Sequence, residues 1–151
     1  MADWMGPDCE KAYSLPTGSL RKQLMVGIAT DPAARGGILL STIAAICLYR
    51  KESLQRAPLL GLRGYVIRCI QAAVSNPDTR HSDNTALAIG ALGVFELVFG
   101  CHEAYETHMG GVACITDLRG ESMHWVLNGV LSFMRTLQLP QIIQGTRCIL
   151  G

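Results

Sequence analysis

Glu96 is followed and preceded at helical spacing by Leu92, Phe95, Val98 and Phe99. A carboxylate on such a face must find a partner or hold its proton, because an unpaired buried charge costs several kcal/mol. Two readings of Glu96 stay open: a core glutamate tied to an arginine or a backbone N–H, or a catalytic acid. Arg68, His108 and Arg119 are its candidate partners. His108 lies beside a stripe that holds Tyr105 and Val112, where an imidazole is either a satisfied core group or a ligand contact. Tyr105, His108 and Glu96 are therefore the candidate catalytic residues. Tyr65, Arg68 and Trp125 are the candidate ligand-binding groups, Trp125 being equally suited to plain core. A few such donors beside apolar faces suit an apolar ligand that carries one or two oxygens.

Other chemistries lack their residues. His102-Glu103-Ala104-Tyr105-Glu106 is not H-E-x-x-H, so no metal is expected. G-x-S-x-G, the Walker A loop and a dinucleotide-binding G-x-G-x-x-G are missing, so hydrolase, kinase and dehydrogenase readings fall and no cofactor is expected. The six cysteines, Cys9, Cys47, Cys69, Cys101, Cys114 and Cys148, contain no C-x-x-C pair and sit mostly in apolar runs. They read as reduced, buried thiols of an intracellular protein, cytoplasmic or, in a regulatory role, nuclear. The remaining chemistry needs a shaped apolar cavity more than a proton relay. A cyclisation such as a Diels–Alder reaction is of this kind, since it needs its reacting ends held close and one donor on a carbonyl.

The elements that would position these groups are helices. Breaks fall at Pro7, Pro16, Asp31-Pro32, Pro58, Asn76-Pro77-Asp78, Gly100, Gly120 and Pro140, and most segments between them have helical periodicity. Leu62, Val66, Cys69/Ile70 and Ala73 form one apolar stripe, with Arg63, Arg68, Gln71 and Ser75 on the other faces. Tyr105, Met109, Val112, Ile115 and Leu118 form a second, and Trp125, Val130, Met134 and Leu137 a third. Ser82-Asp83 caps a helix that is apolar on all sides and therefore belongs at the centre. Arg119-Gly120 suits a helix end, and Gly110-Gly111 suits close helix packing. The expectation is an all-α, single-domain array of six or seven helices over residues 18–151, after a flexible leader at 1–17.

Charge limits the partners. The 151 residues carry 13 basic and 12 acidic side chains, a net charge of +1, which provides no field for nucleic acid or an anionic membrane. Arg50, Lys51 and Arg56 read as a solvated helix end. The apolar stretches Gly36 to Tyr49 and Ala86 to Cys101 read as core helices, the first too short to span a bilayer and the second interrupted by Glu96. Charged residues make up only 17% of the chain against 49% hydrophobic. That surplus needs a nearly all-apolar core, a homodimer interface, or the lining of a pocket.

Asp83-Asn84-Thr85-Ala86-Leu87, Leu92, Glu96 and Gly100, then Tyr105-x-x-His108-Met109-x-Gly111-Val112 and Leu118-Arg119-Gly120, resemble the fungal-specific transcription factor domain. Tyr105, Met109 and Val112 stand where tryptophan, leucine and alanine are common in that family. With the helices from Ala33 and Leu59, the resemblance covers roughly residues 20–137. It implies a helical fold with a regulatory, dimerising or ligand-sensing role. The zinc cluster that binds DNA in that family has no counterpart in the cysteine spacing, so the resemblance carries no DNA binding to this chain. The expected function is a stand-alone helical domain that binds an apolar, terpenoid- or polyketide-like molecule and acts as a natural-product cyclase or isomerase; the alternative is a ligand-sensing or dimerising fragment of a regulator.

Overall fold

The computed structural model describes residues 19–50 and 56–119. They form five helices: α1 (Ser19–Thr30), α2 (Pro32–Arg50), α3 (Arg56–Ser75), α4 (Asp83–Phe99) and α5 (His102–Arg119). No strand occurs among the described residues. The all-α class is thus seen directly, with five helices rather than six or seven in the described part. The leader at 1–17, the Trp125 stripe and the stop at Gly120 lie outside the described residues.

Local chemistry sets the helix boundaries. Asp31 ends α1 and caps α2, its Oδ1 accepting from the backbone N of Ala34 at 2.8 Å, while Pro32 takes the first helical position, where no N–H is needed. From the first turn of α2, Arg35 reaches back to the final carbonyls of α1, donating from Nε to Ile28 O at 2.8 Å and from Nη2 to Ala29 O at 3.1 Å. A cation on carbonyls left open at a helix end is favourable twice, by hydrogen bond and by dipole. Pro58, expected as a break, instead lies within the first turn of α3, where proline is tolerated.

The α3–α4 connection is equally specified. Asn76 Oδ1 accepts from Asp78 N at 3.0 Å, an Asx turn that closes α3. Ser82 Oγ accepts from Thr85 N at 3.1 Å to cap α4. Thr85, fully buried, donates its hydroxyl to Thr79 O at 2.7 Å, so the turn is pinned to the helix it introduces.

α4 is the centre, as its all-round apolarity requires. Every residue from Thr85 to Glu96 is buried; α2 and α5 pack on it most extensively, and α3 covers a third side. Ala34, Ile38, Ala86, Ile89, Val112 and Ile115 make one core cluster, and Leu40, Ala44, Leu59, Val66, Leu92 and Phe95 the other. Small residues bring the α2 and α4 axes together. A Cβ on Gly37 would stand 3.0 Å from Ala88 O and 3.2 Å from Ala91 Cβ, so only glycine allows that crossing without a shift. Gly110, expected at such a contact, faces open space, and Gly111 makes only an ordinary contact with Ile89. Leu118 leaves its stripe and is 65% exposed. At the far end, Arg119 of α5 pairs with Asp83 and donates to His81 O at 3.0 Å, tying the end of α5 to the start of α4.

Neither apolar stretch forms a membrane span: among the described residues no helix is long and apolar enough to cross a bilayer. The thiols divide. Cys47 is buried and Cys69 half-buried, whereas Cys101 and Cys114 are exposed. The uniform burial expected of the cysteines therefore fails at the last two, because Cys101 sits in the α4–α5 turn and Cys114 on the outer side of α5.

Candidate functional site

The site begins with Glu96, which is 2% exposed in the last turns of α4. Its partner is Arg63 of α3, which donates from Nε to Oε1 at 2.5 Å with a third of its own side chain exposed. None of Arg68, His108 and Arg119 takes that place. Arg63 was expected on an outer face, but Leu59, Arg63, Val66 and Ile70 fall on one helical stripe, and that stripe meets α4. The helical period puts the guanidinium at the core edge despite its charge.

Gly100 makes room for the carboxylate. A Cβ at this position would overlap Glu96 Oε2 and lie 2.9 Å from Glu96 Cα. Gly100 also donates its backbone N–H to Glu96 O at 2.9 Å. The glycine read as a helix stop is therefore also the space into which the acid folds.

α5 approaches α4 one turn earlier, at Gly93. A Cβ there would meet Met109 Sδ at 3.3 Å, His108 Cβ at 3.6 Å and Tyr105 Cδ2 at 3.8 Å. Tyr105 and His108 thus lie against the same part of α4 as Glu96. Burial lowers the His108 pKa from its ordinary value; the Glu96 charge opposes that shift and the Arg63 charge adds to it. The imidazole therefore feels both members of the pair and is neutral at physiological pH. Tyr105 is stacked with His102 at a centroid distance of 5.9 Å, and His102 meets Glu106 at 3.1 Å on the surface.

The ion pair opens into a cleft of about 470 Å³ between α3, α4 and the start of α5. Leu59, Leu60, Phe95, Phe99 and Ala104 supply mainly apolar walls, with Cys101 at the α5 end. Phe95 and Phe99 stack tilted at 5.5 Å; Phe95 is core, while Phe99 remains 45% exposed. The cleft is open along one side. Its size lies in the range of small-molecule sites.

Of the residues expected to carry function, Glu96, Tyr105 and His108 are brought together on α4 and α5, although of the three only Glu96 lines the cleft. Tyr65 and Arg68 are not: both are exposed on α3 and neither lines the cleft. The neighbouring Cys69, one turn on, is the main cause of the raised Tyr65 pKa. Trp125 lies outside the described residues. Arg63, Leu60, Phe99 and Cys101 were not foreseen as site residues. Among the described residues no group of three or more His, Cys, Asp or Glu could hold a metal ion. No family model, curated protein or solved structure matches the chain.

Proposed function

We propose that this chain is a binding domain for an apolar small molecule, held in the Leu59–Phe99–Ala104 cleft with its polar group on Arg63. The observation that carries the reading is an ion pair, its carboxylate buried and its guanidinium one-third exposed, at the edge of an otherwise apolar cleft. Arg63 Nε is committed to Glu96, and its terminal nitrogens have no hydrogen-bond partner among the described residues. They are donors held in place before a ligand arrives, which reduces the ordering cost of binding. Terpenoid- and polyketide-like skeletons with a carbonyl or hydroxyl fit this lining. A ligand-sensing use of the same cleft is what the resemblance of roughly residues 20–137 to the fungal-specific transcription factor domain would imply.

Catalysis of a cyclisation extends the proposal to turnover. It requires walls that fold the substrate, with Arg63, the one cationic donor among the described residues lining the cleft, polarising a carbonyl. The open side of the cleft favours binding as the primary role. Freshly purified protein should retain an apolar molecule in native mass spectrometry, or bind terpenoid and polyketide probes saturably. Ala104→Trp, which fills the cleft, should abolish this without lowering the melting temperature. Binding that survives Ala104→Trp, or no saturable binding at all, would sink the reading. Conversion of diene-bearing probes with and without protein tests the catalytic extension.

A second reading, dimerisation, is favoured by Leu39 and Ile46, which lie two turns apart on α2 and are both about half exposed. A monomer by sedimentation at tens of micromolar would remove it.

A further inference from the structure

The geometry points to a cleft that selects neutral ligands over charged ones, its preferred occupant being a flat apolar molecule with an uncharged carbonyl. This deepens the proposed binding function and rests on it. An arginine beside an apolar cleft would ordinarily favour a carboxylic acid, through a bidentate, charge-assisted pair. Here the acid is already present within the protein. Buried Glu96 accepts from the one-third exposed Arg63 at 2.5 Å, so the pair presents donors without net charge.

Among the described residues the surroundings add no compensating cation. His108 is held neutral by burial, and His102 faces Glu106 at the surface. The start of α5 brings helix-dipole attraction for anions, but Glu103 occupies its first turn and opposes it. A carboxylate entering beside Phe99 and Leu60 would lose water and meet the Glu96 charge, and an ammonium would meet the guanidinium. A neutral carbonyl loses little solvation and accepts one N–H from Arg63. Phe99, half exposed and stacked on Phe95, offers a flat face for an aromatic or conjugated system.

Glu96 is thus the specificity-determining residue. Replacing it with glutamine keeps an acceptor for Arg63 Nε and releases one full positive charge into the cleft, which should convert a neutral-carbonyl site into an anion site.

The test uses three probes of one shape: methyl 2-naphthoate, 2-naphthoate and 2-naphthylmethylammonium, titrated by calorimetry at pH 7.5 against wild type and Glu96→Gln. Wild type is expected to bind the ester at least about tenfold more tightly than either ion, a difference of about 1.4 kcal/mol. In Glu96→Gln the naphthoate should gain at least tenfold and overtake the ester. A wild type that prefers either ion overturns the inference while leaving ligand binding intact, and so does an unchanged order in a folded Glu96→Gln. Should Glu96→Gln fail to fold, the wild-type order of the three probes alone decides. Binding of none of them up to millimolar concentration overturns the cleft reading, and this inference with it.

Discussion

Glu96, in the last turn of α4, and Gly100, the cap that follows it, lie so close that the carboxylate of the first fills the place of a side chain on the second. Gly100→Ala should therefore act through Glu96. We expect a loss of about 1–3 kcal/mol, the usual range for forced overpacking. In a Glu96→Ala background the loss should shrink, though not vanish, because the Cα of residue 96 stays within 2.9 Å of the new methyl. A double-mutant cycle by urea denaturation measures the coupling; purely additive losses would show that the two residues are independent.

Breaking the ion pair should be asymmetric. Arg63→Met leaves a carboxylate that is 2% exposed without its cation, and the expected cost is about 3–5 kcal/mol. Glu96→Ala leaves an arginine already one-third exposed, which can turn toward water, so its cost should be lower, roughly 1–3 kcal/mol. Equal losses, or a larger one for Glu96→Ala, would contradict this assignment of burial.

His108 provides a pH dependence whose sign follows from its lowered pKa. The unfolded chain takes up a proton near the ordinary value of 6.5, before the folded chain does. The stability tied to the neutral imidazole is therefore full above pH 6.5 and declines as pH falls through 6.5 toward the lower folded value. His108→Gln should flatten the melting temperature between pH 7.5 and 5.5 relative to wild type. An equally steep decline in the variant would assign the dependence elsewhere.

Thiol reactivity should follow the burial of the described cysteines. Peptide mapping after a short pulse of N-ethylmaleimide on folded protein should find Cys101 and Cys114 modified well before Cys47. Rapid labelling of Cys47 in the absence of denaturant would mean that α2 opens locally.

The fold was legible wherever a few neighbouring residues determine it. Asp31-Pro32 and Ser82-Asp83 mark helix starts because a short side chain and a fixed φ act within one turn. The run from Thr85 to Phe95 predicts a central helix because no face of it can be left in water. Glu96 was legible as an acid in need of a partner, but the partner was not. Arg63 lies 33 residues away, and which arginine meets the acid depends on how α3 crosses α4. Assigning charge to the outside hid Arg63, although its spacing from Leu59 and Val66 placed it on the inner stripe. Tyr65 and Arg68 lie away from the cleft, since the turn that carries Arg63 inward carries them out. The close approaches at Gly37 and Gly93 were invisible because a glycine's role there depends on which helix lies opposite.

The enclosure of α4 also governs how the chain can come apart. A helix buried along its length by α2, α3 and α5 cannot fray inward from one exposed edge, and its middle amides meet solvent only when several neighbours have left. Slow hydrogen exchange should therefore concentrate in the Ala86–Val94 amides, at rates set by global opening, while the outer turns of α1 exchange through small local excursions. The helix with the least polar sequence thereby couples the unfolding of its neighbours into one event.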